Sequence, residues 1–235
     1  MTSNHQTIIA LLAAAAKNSD AISTQGSSYL GSPRSCYQLK NPAKRQVAKT
    51  FVRSNPTLSY ADCMQLLTDL NHGVSYEEKT IGPIILSLYP AYRAQLTPTH
   101  LDVWLENLSG WGEIDSLCQS LLSAEELLAH WPLWRTALMA FSISPNISKR
   151  RASLVLLTRP VRDQYDSKLG ILALLVVAQL QSERDILITK AISWLLREMI
   201  AQYRTEVIAF LAENQTTLPK IAVRETTRKL TTGRK

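Results

Sequence analysis

Apolar residues recur at three- and four-residue spacing through almost the whole chain, and nowhere do they alternate strictly as in a half-buried strand. On the order of ten such segments, each roughly 10–17 residues long, are joined by breaks of about two to six residues. A chain of this kind cannot build a sheet. It must bury one stripe of each helix against its neighbours, and the short breaks fold consecutive helices into pairs. The expected fold class is therefore all-α, an irregular HEAT-like solenoid of stacked helical pairs with a concave basic groove. It is irregular because no exact internal repeat occurs. With 46% hydrophobic and 19% charged residues and only eight glycines in 235, the chain is globular and helix-favouring. A single domain over residues 1–230 is expected, followed by a basic tail at 231–235.

Local signals place the helices. The run IIALLAAAA at 8–16 resembles a signal peptide core, but no basic residue precedes it and Lys17-Asn18-Ser19-Asp20 follows, so it reads as part of a first helix over 5–18. Asn41 reads as an N-cap with Pro42 at the first helical position of a helix ending near Arg53. Ser59 opens a helix through Asn71, and Ser75 caps one through about Leu88. Further helices are expected over 98–107, 110–121, 123–130 and 131–143. Asn146 and Ser148 start the next, and the last four cover 164–181, 184–200, 203–213 and 218–230. No stretch approaches the length of a membrane span.

Charge is distributed unevenly. Residues 1–54 and 148–235 are basic, whereas 55–147 hold ten acids against three Lys/Arg. Two basic lobes about an acidic middle suit a cleft that grips phosphates on its rims and keeps a carboxylate at its centre; uniformly solvated helix faces fit the pattern equally well. Cys36, Cys63 and Cys118 are widely spaced and form no metal-ligand pattern with the four histidines, so neither a metal nor a cofactor is expected and a reducing, intracellular setting fits best. No P-loop, nucleophile elbow or HExxH motif supports another enzyme class.

Several residues stand out on these helices. Trp111 and Asp115, four apart, share a helix face about one turn from each other. Trp194 has Lys190 four residues before it and Arg197 three after, which suggests a groove wall meeting phosphate, whereas core packing suffices for Trp104, Trp131 and Trp134. Arg45, Lys49 and Arg53 form a basic stripe on the helix after Pro42. Each charge taken singly reads as readily as an ordinary solvated side chain.

In chain order, YLGS (29–32), NPAKRQVAK (41–49), WGEIDSL (111–117), KRRASLVLL (149–157) and AISWLLREM (191–199) resemble the motifs of the AlkD family, the HEAT-like alkylpurine DNA glycosylases. Gly112 and Ser148 stand where that family commonly carries a polar or acidic residue and an aromatic. The resemblance implies a DNA repair enzyme that hydrolyses the N-glycosidic bond of cationic 3- or 7-alkylated purines in duplex DNA, without a deep base pocket. It implies that Asp115 stabilises charge at the sugar, Trp111 and Trp194 lay π faces on the lesion, and Arg151 holds a backbone phosphate. Tyr29, Lys44, Arg45, Lys49, Lys149, Arg150, Lys190, Arg197, Arg224 and Arg228 would complete the DNA contacts. A monomer in the cytoplasm, associated with the nucleoid through DNA, is expected. Two other readings keep the fold: a non-catalytic HEAT-like binder of branched or damaged DNA, and a helical scaffold for protein partners.

Overall fold

Fourteen helices account for the described residues, and the only β pairing among them is an isolated bridge between Ser35 and Ser75. The computed structural model describes residues 2–17, 31–119 and 121–233. By internal contacts the chain divides into two compact units, Met1–Leu117 and Cys118–Lys235.

The first unit holds α1 (Ser3–Lys17), α2 (Asn41–Ser54), α3 (Tyr60–His72), α4 (Tyr76–Ser87), α5 (Pro90–Arg93), α6 (Pro98–Leu105) and all but the last residue of α7 (Gly110–Cys118). Its core is built from one stripe of each main helix: Ile8 and Leu12 of α1, Phe51 of α2, Leu66 and Leu70 of α3, Ile81 and Ile85 of α4, all at most 1% exposed. The helix starts follow the expected chemistry. Ser59 accepts from the Asp62 N–H, and Ser75 forms a reciprocal capping box with Glu78. One boundary differs. The N-cap of α2 is Lys40 and Asn41 is already helical, because the extended backbone breaks one residue earlier and no side chain caps it. The short α5, begun by Pro90, has no counterpart among the expected segments, since one turn is too short to show a period.

The second unit holds α8 (Ala124–Ala129), α9 (Trp131–Ser142), α10 (Ile147–Asp163), α11 (Ser167–Leu180), α12 (Ile186–Met199), α13 (Arg204–Asn214) and α14 (Lys220–Thr232). Here α10 packs on α9, α11 and α12, and α12 packs in turn on α14. Leu154, Leu157, Val176, Ile188 and Leu195 supply fully buried contacts among them. Side-chain oxygens of Ser123, Asn146, Asp166 and Asp185 each accept an N–H of the first turn they precede. The final helix runs to Thr232 and stops at Gly233, whose left-handed backbone ends it, so residues expected in the tail are helical. No helix among the described residues is long and apolar enough to cross a membrane.

Candidate active site

The two residues of the Trp-x-x-x-Asp pair lie on α7, and the sequence of that helix decides how it sits. At about 100° per residue, Trp111 and Asp115 fall on one flank and Glu113 falls about 160° away from both. Ile114, Leu117 and Cys118 are buried, while Trp111 and Asp115 are half-buried at the edge of the packed surface. Glu113 is wholly buried. Its carboxylate accepts the Ser32 hydroxyl in a short hydrogen bond and the Ser109 N–H at 2.9 Å, and the Arg34 Nε lies 3.2 Å away. Arg34 also donates to the Asn107 carbonyl at 2.8 Å.

The segment 31–39 is thereby strapped across α4 and α7. Gly31 and Gly110 both have left-handed backbone, and a Cβ at Gly31 would stand 3.3 Å from the Gly110 Cα and 3.9 Å from the Trp111 indole. Farther along, the buried Glu77 carboxylate accepts the N–H groups of Tyr37 and Leu39 at 2.9 and 3.1 Å. The second turn of α7 is held separately, by a bond between the Tyr76 and Ser116 hydroxyls; burial pushes the Tyr76 phenol up to about 12 although that bond pulls it back. Glu78 is a further buried acid of this unit. Burial raises its carboxyl, but bonds from Ser75 and His5 outweigh that and hold it below the usual range.

In the second unit, Trp194 lies half-buried on α12 and donates through Nε1 to Glu198 at 3.1 Å. Lys190 is exposed one turn before it. Arg197 is half-buried and largely engaged, donating to the Ser193 carbonyl at 3.1 Å and lying 3.5 Å from Glu225. Arg224 and Arg228 are exposed on α14, one turn apart.

Several of the expected phosphate-contact residues are buried or paired in this structure. Arg151 is 4% exposed, and its guanidinium donates to the Leu187 carbonyl in the first turn of α12, so it ties α10 to α12. Lys149 is buried beside it. Arg150 pairs with Glu183 at 2.8 Å and donates to the carbonyls of Ser144 and Pro145. Within the run, Lys149 and Arg151 are buried and Arg150 is half-buried and paired. Lys44 departs further. It is 3% exposed, donates to the Thr80 hydroxyl at 3.0 Å and lies over the Tyr76 ring, and burial lowers its pKa against the opposing pull of Glu77. Arg45, Lys49 and Arg53, by contrast, stand exposed as a stripe on α2. Tyr29 lies outside the described residues. Trp104 and Trp134 are core residues, and Trp131 is half-buried.

Sequence reasoning passed over Glu113, Ser32 and Arg34. A signal for the first existed, since Glu113 falls on the same arc of α7 as Leu117, where an acid has to be buried. Nothing marked Arg34, whose partner is about eighty residues away. Charge also follows the units: the first carries nine Lys/Arg and nine acids, the second seventeen and ten, so the whole excess of +7 belongs to the second. No cluster of three or more His, Cys, Asp or Glu that could hold a metal ion occurs among the described residues.

Comparison with known proteins bears on the family and the fold. The sequence model of a family described as DNA alkylation repair enzyme matches residues 8–230. No curated protein matches. A solved structure described as a predicted DNA alkylation repair enzyme from Enterococcus faecalis superposes with a TM-score of 0.71, covering 90% of this chain and 100% of its own, at 15% identity. At that identity the likeness is one of fold.

Proposed function

Since the chain belongs to the DNA alkylation repair enzyme family, we propose that it is a DNA glycosylase acting on cationic 3- or 7-alkylated purines in duplex DNA. Alkylation at those positions leaves the base positively charged and already a good leaving group, so the enzyme need not protonate it. What the reaction asks for is negative charge near the sugar, where an oxocarbenium-like centre develops as the base departs. Asp115 is assigned that role and the orientation of the attacking water. A carboxylate about 4 Å from the developing charge contributes about 4 kcal/mol at an effective dielectric of 20, or about a thousandfold in rate.

Trp111 and Trp194 are assigned the recognition of the charged nucleotide through their π faces, at roughly 1–2 kcal/mol each, which separates a cationic lesion from a neutral purine. Arg151 braces the helix that carries Trp194. Contact with phosphates falls to the exposed cations instead: Arg45, Lys49 and Arg53 on α2, Lys190 on α12, and Arg224 and Arg228 on α14. Because the second unit carries the full positive excess, sequence-independent attraction to DNA resides mainly there. The base is not drawn into a deep pocket in this reading, so bulky adducts are tolerated.

The observation that carries the reading is the pairing of Trp111 and Asp115 on one flank of α7, the flank opposite its buried anchor. The decisive experiment is release of 7-methylguanine from methylated duplex DNA by the wild-type protein and by Asp115→Asn. Release by the wild type, reduced about a thousandfold in the variant with DNA affinity unchanged, is expected. A wild-type protein that binds DNA but releases no alkylated base overturns the assignment and leaves a DNA-binding protein.

A further inference from the structure

We propose that Glu113 is a positioning residue for the reaction, setting the rotation of α7 about its own axis and so the direction in which Asp115 and Trp111 point. The inference rests on the glycosylase reading of Asp115, but it concerns a group that cannot itself touch the substrate. Glu113 lies about 160° around the helix from both residues of the pair and is fully buried. A buried charge persists only when paired and hydrogen-bonded, and Glu113 is bound on both oxygens: Oε1 takes the Ser32 hydroxyl, Oε2 takes the Ser109 N–H, and the Arg34 Nε lies 3.2 Å from the first and 3.4 Å from the second.

Ser109 immediately precedes α7 and turns with it, whereas Ser32 and Arg34 belong to the strap, whose Gly31 runs so close to the helix start that a Cβ there would stand 3.3 Å from the Gly110 Cα. An apolar side chain in place of Glu113 would be free to slide along its neighbours. A carboxylate held by directional bonds from the strap resists rotation, since a turn of α7 in either direction carries it off Ser32 and Arg34. A rotation of α7 by one quarter of a residue step, about 25°, moves side-chain ends on the opposite flank by more than an ångström, and misplacement on that scale costs about a hundredfold in rate. The residue therefore acts on kcat through Asp115, and leaves DNA binding alone.

A double-mutant cycle tests this with the full-length protein and methylated duplex DNA, at a temperature where each variant is folded by circular dichroism. Glu113→Ala is expected to lower kcat about a hundredfold with the Kd for undamaged DNA unchanged. Glu113→Gln, which keeps an acceptor oxygen for the Ser32 hydroxyl, is expected to recover much of that loss. In the Asp115→Asn background, Glu113→Ala is expected to add far less than a hundredfold, because only Trp111 is left for it to position. Losses that multiply in the double variant, or a Glu113→Ala enzyme with unaltered kcat, overturn the proposal while Asp115 keeps its role. A wild type without glycosylase activity instead removes the premise. Should Glu113→Ala not fold, Ser32→Ala reads the same cycle with a smaller loss: additivity with Asp115→Asn refutes the proposal and non-additivity supports it.

Discussion

Replacing Lys79 by Met should reverse its effect on stability between neutral and alkaline pH. Lys79 is 5% exposed and its ammonium donates to the Asn71 carbonyl. Burial, together with the nearby Arg34 charge, lowers its pKa from 10.5 to about 8, although Glu113 and Glu78 pull the other way. Below pH 8 the folded protein therefore holds a buried ammonium, at a cost of about 3 kcal/mol relative to the unfolded chain. Between pH 8 and 10.5 the unfolded chain binds the proton and the folded one does not, so this cost fades as pH rises. Methionine has similar length and no charge, but it leaves the Asn71 carbonyl without this donor, a loss of roughly 1–3 kcal/mol. At pH 7 the variant should accordingly be as stable as the wild type or up to about 2 kcal/mol more so, and near pH 10, where about 0.8 kcal/mol of the cost remains, less stable by up to about 2 kcal/mol. Urea unfolding of both proteins at unit steps from pH 7 to 10 measures the difference directly, and cancels the tyrosines and cysteines that titrate in the same range. A difference in unfolding free energy that stays constant across that range would refute the claim that a charged amine is buried there.

Gly31→Ala should cost about 1–3 kcal/mol of stability, the sum of a left-handed backbone and a Cβ pressed against Gly110, and should lower glycosylase turnover as the strap shifts off Trp111; thermal unfolding and base release read the two effects. Charge removal from the α2 stripe, Arg45→Gln with Lys49→Gln and Arg53→Gln, should flatten the dependence of log affinity for DNA on log salt by about 2–3. Lys44→Met should leave that slope as it is, since the ammonium is turned into the protein; equal slopes for the two variants would contradict this division. Ser75→Ala, which opens the capping box of α4, should destabilise by about 1 kcal/mol in urea without altering the salt dependence.

Periodicity and caps sufficed for the helices because they are local properties. Ser59, Ser75, Ser123 and Asn146 satisfy first-turn N–H groups two or three residues away, so their role is visible in any short window of sequence. The Trp111–Asp115 pair is legible for the same reason, because one turn of helix determines that the two share a flank. Which cations meet solvent is another kind of question. Lys44 and Arg45 are adjacent in sequence, and one is buried on Thr80 while the other is exposed. The run Lys149-Arg150-Arg151 reads as a basic patch, yet its partners Glu183 and Leu187 lie more than thirty residues on.

The amino-acid sequence by itself determined an all-helical chain, the positions of nearly all its helices and the pair on α7, since each depends on bonds between near neighbours. Only the tertiary structure decided that Glu113 is buried against Ser32 and Arg34 and that Arg151 reaches the Leu187 carbonyl. A buried charge owes its place to groups brought from elsewhere in the chain, and desolvation makes those partners obligatory without leaving any mark on the residues beside it.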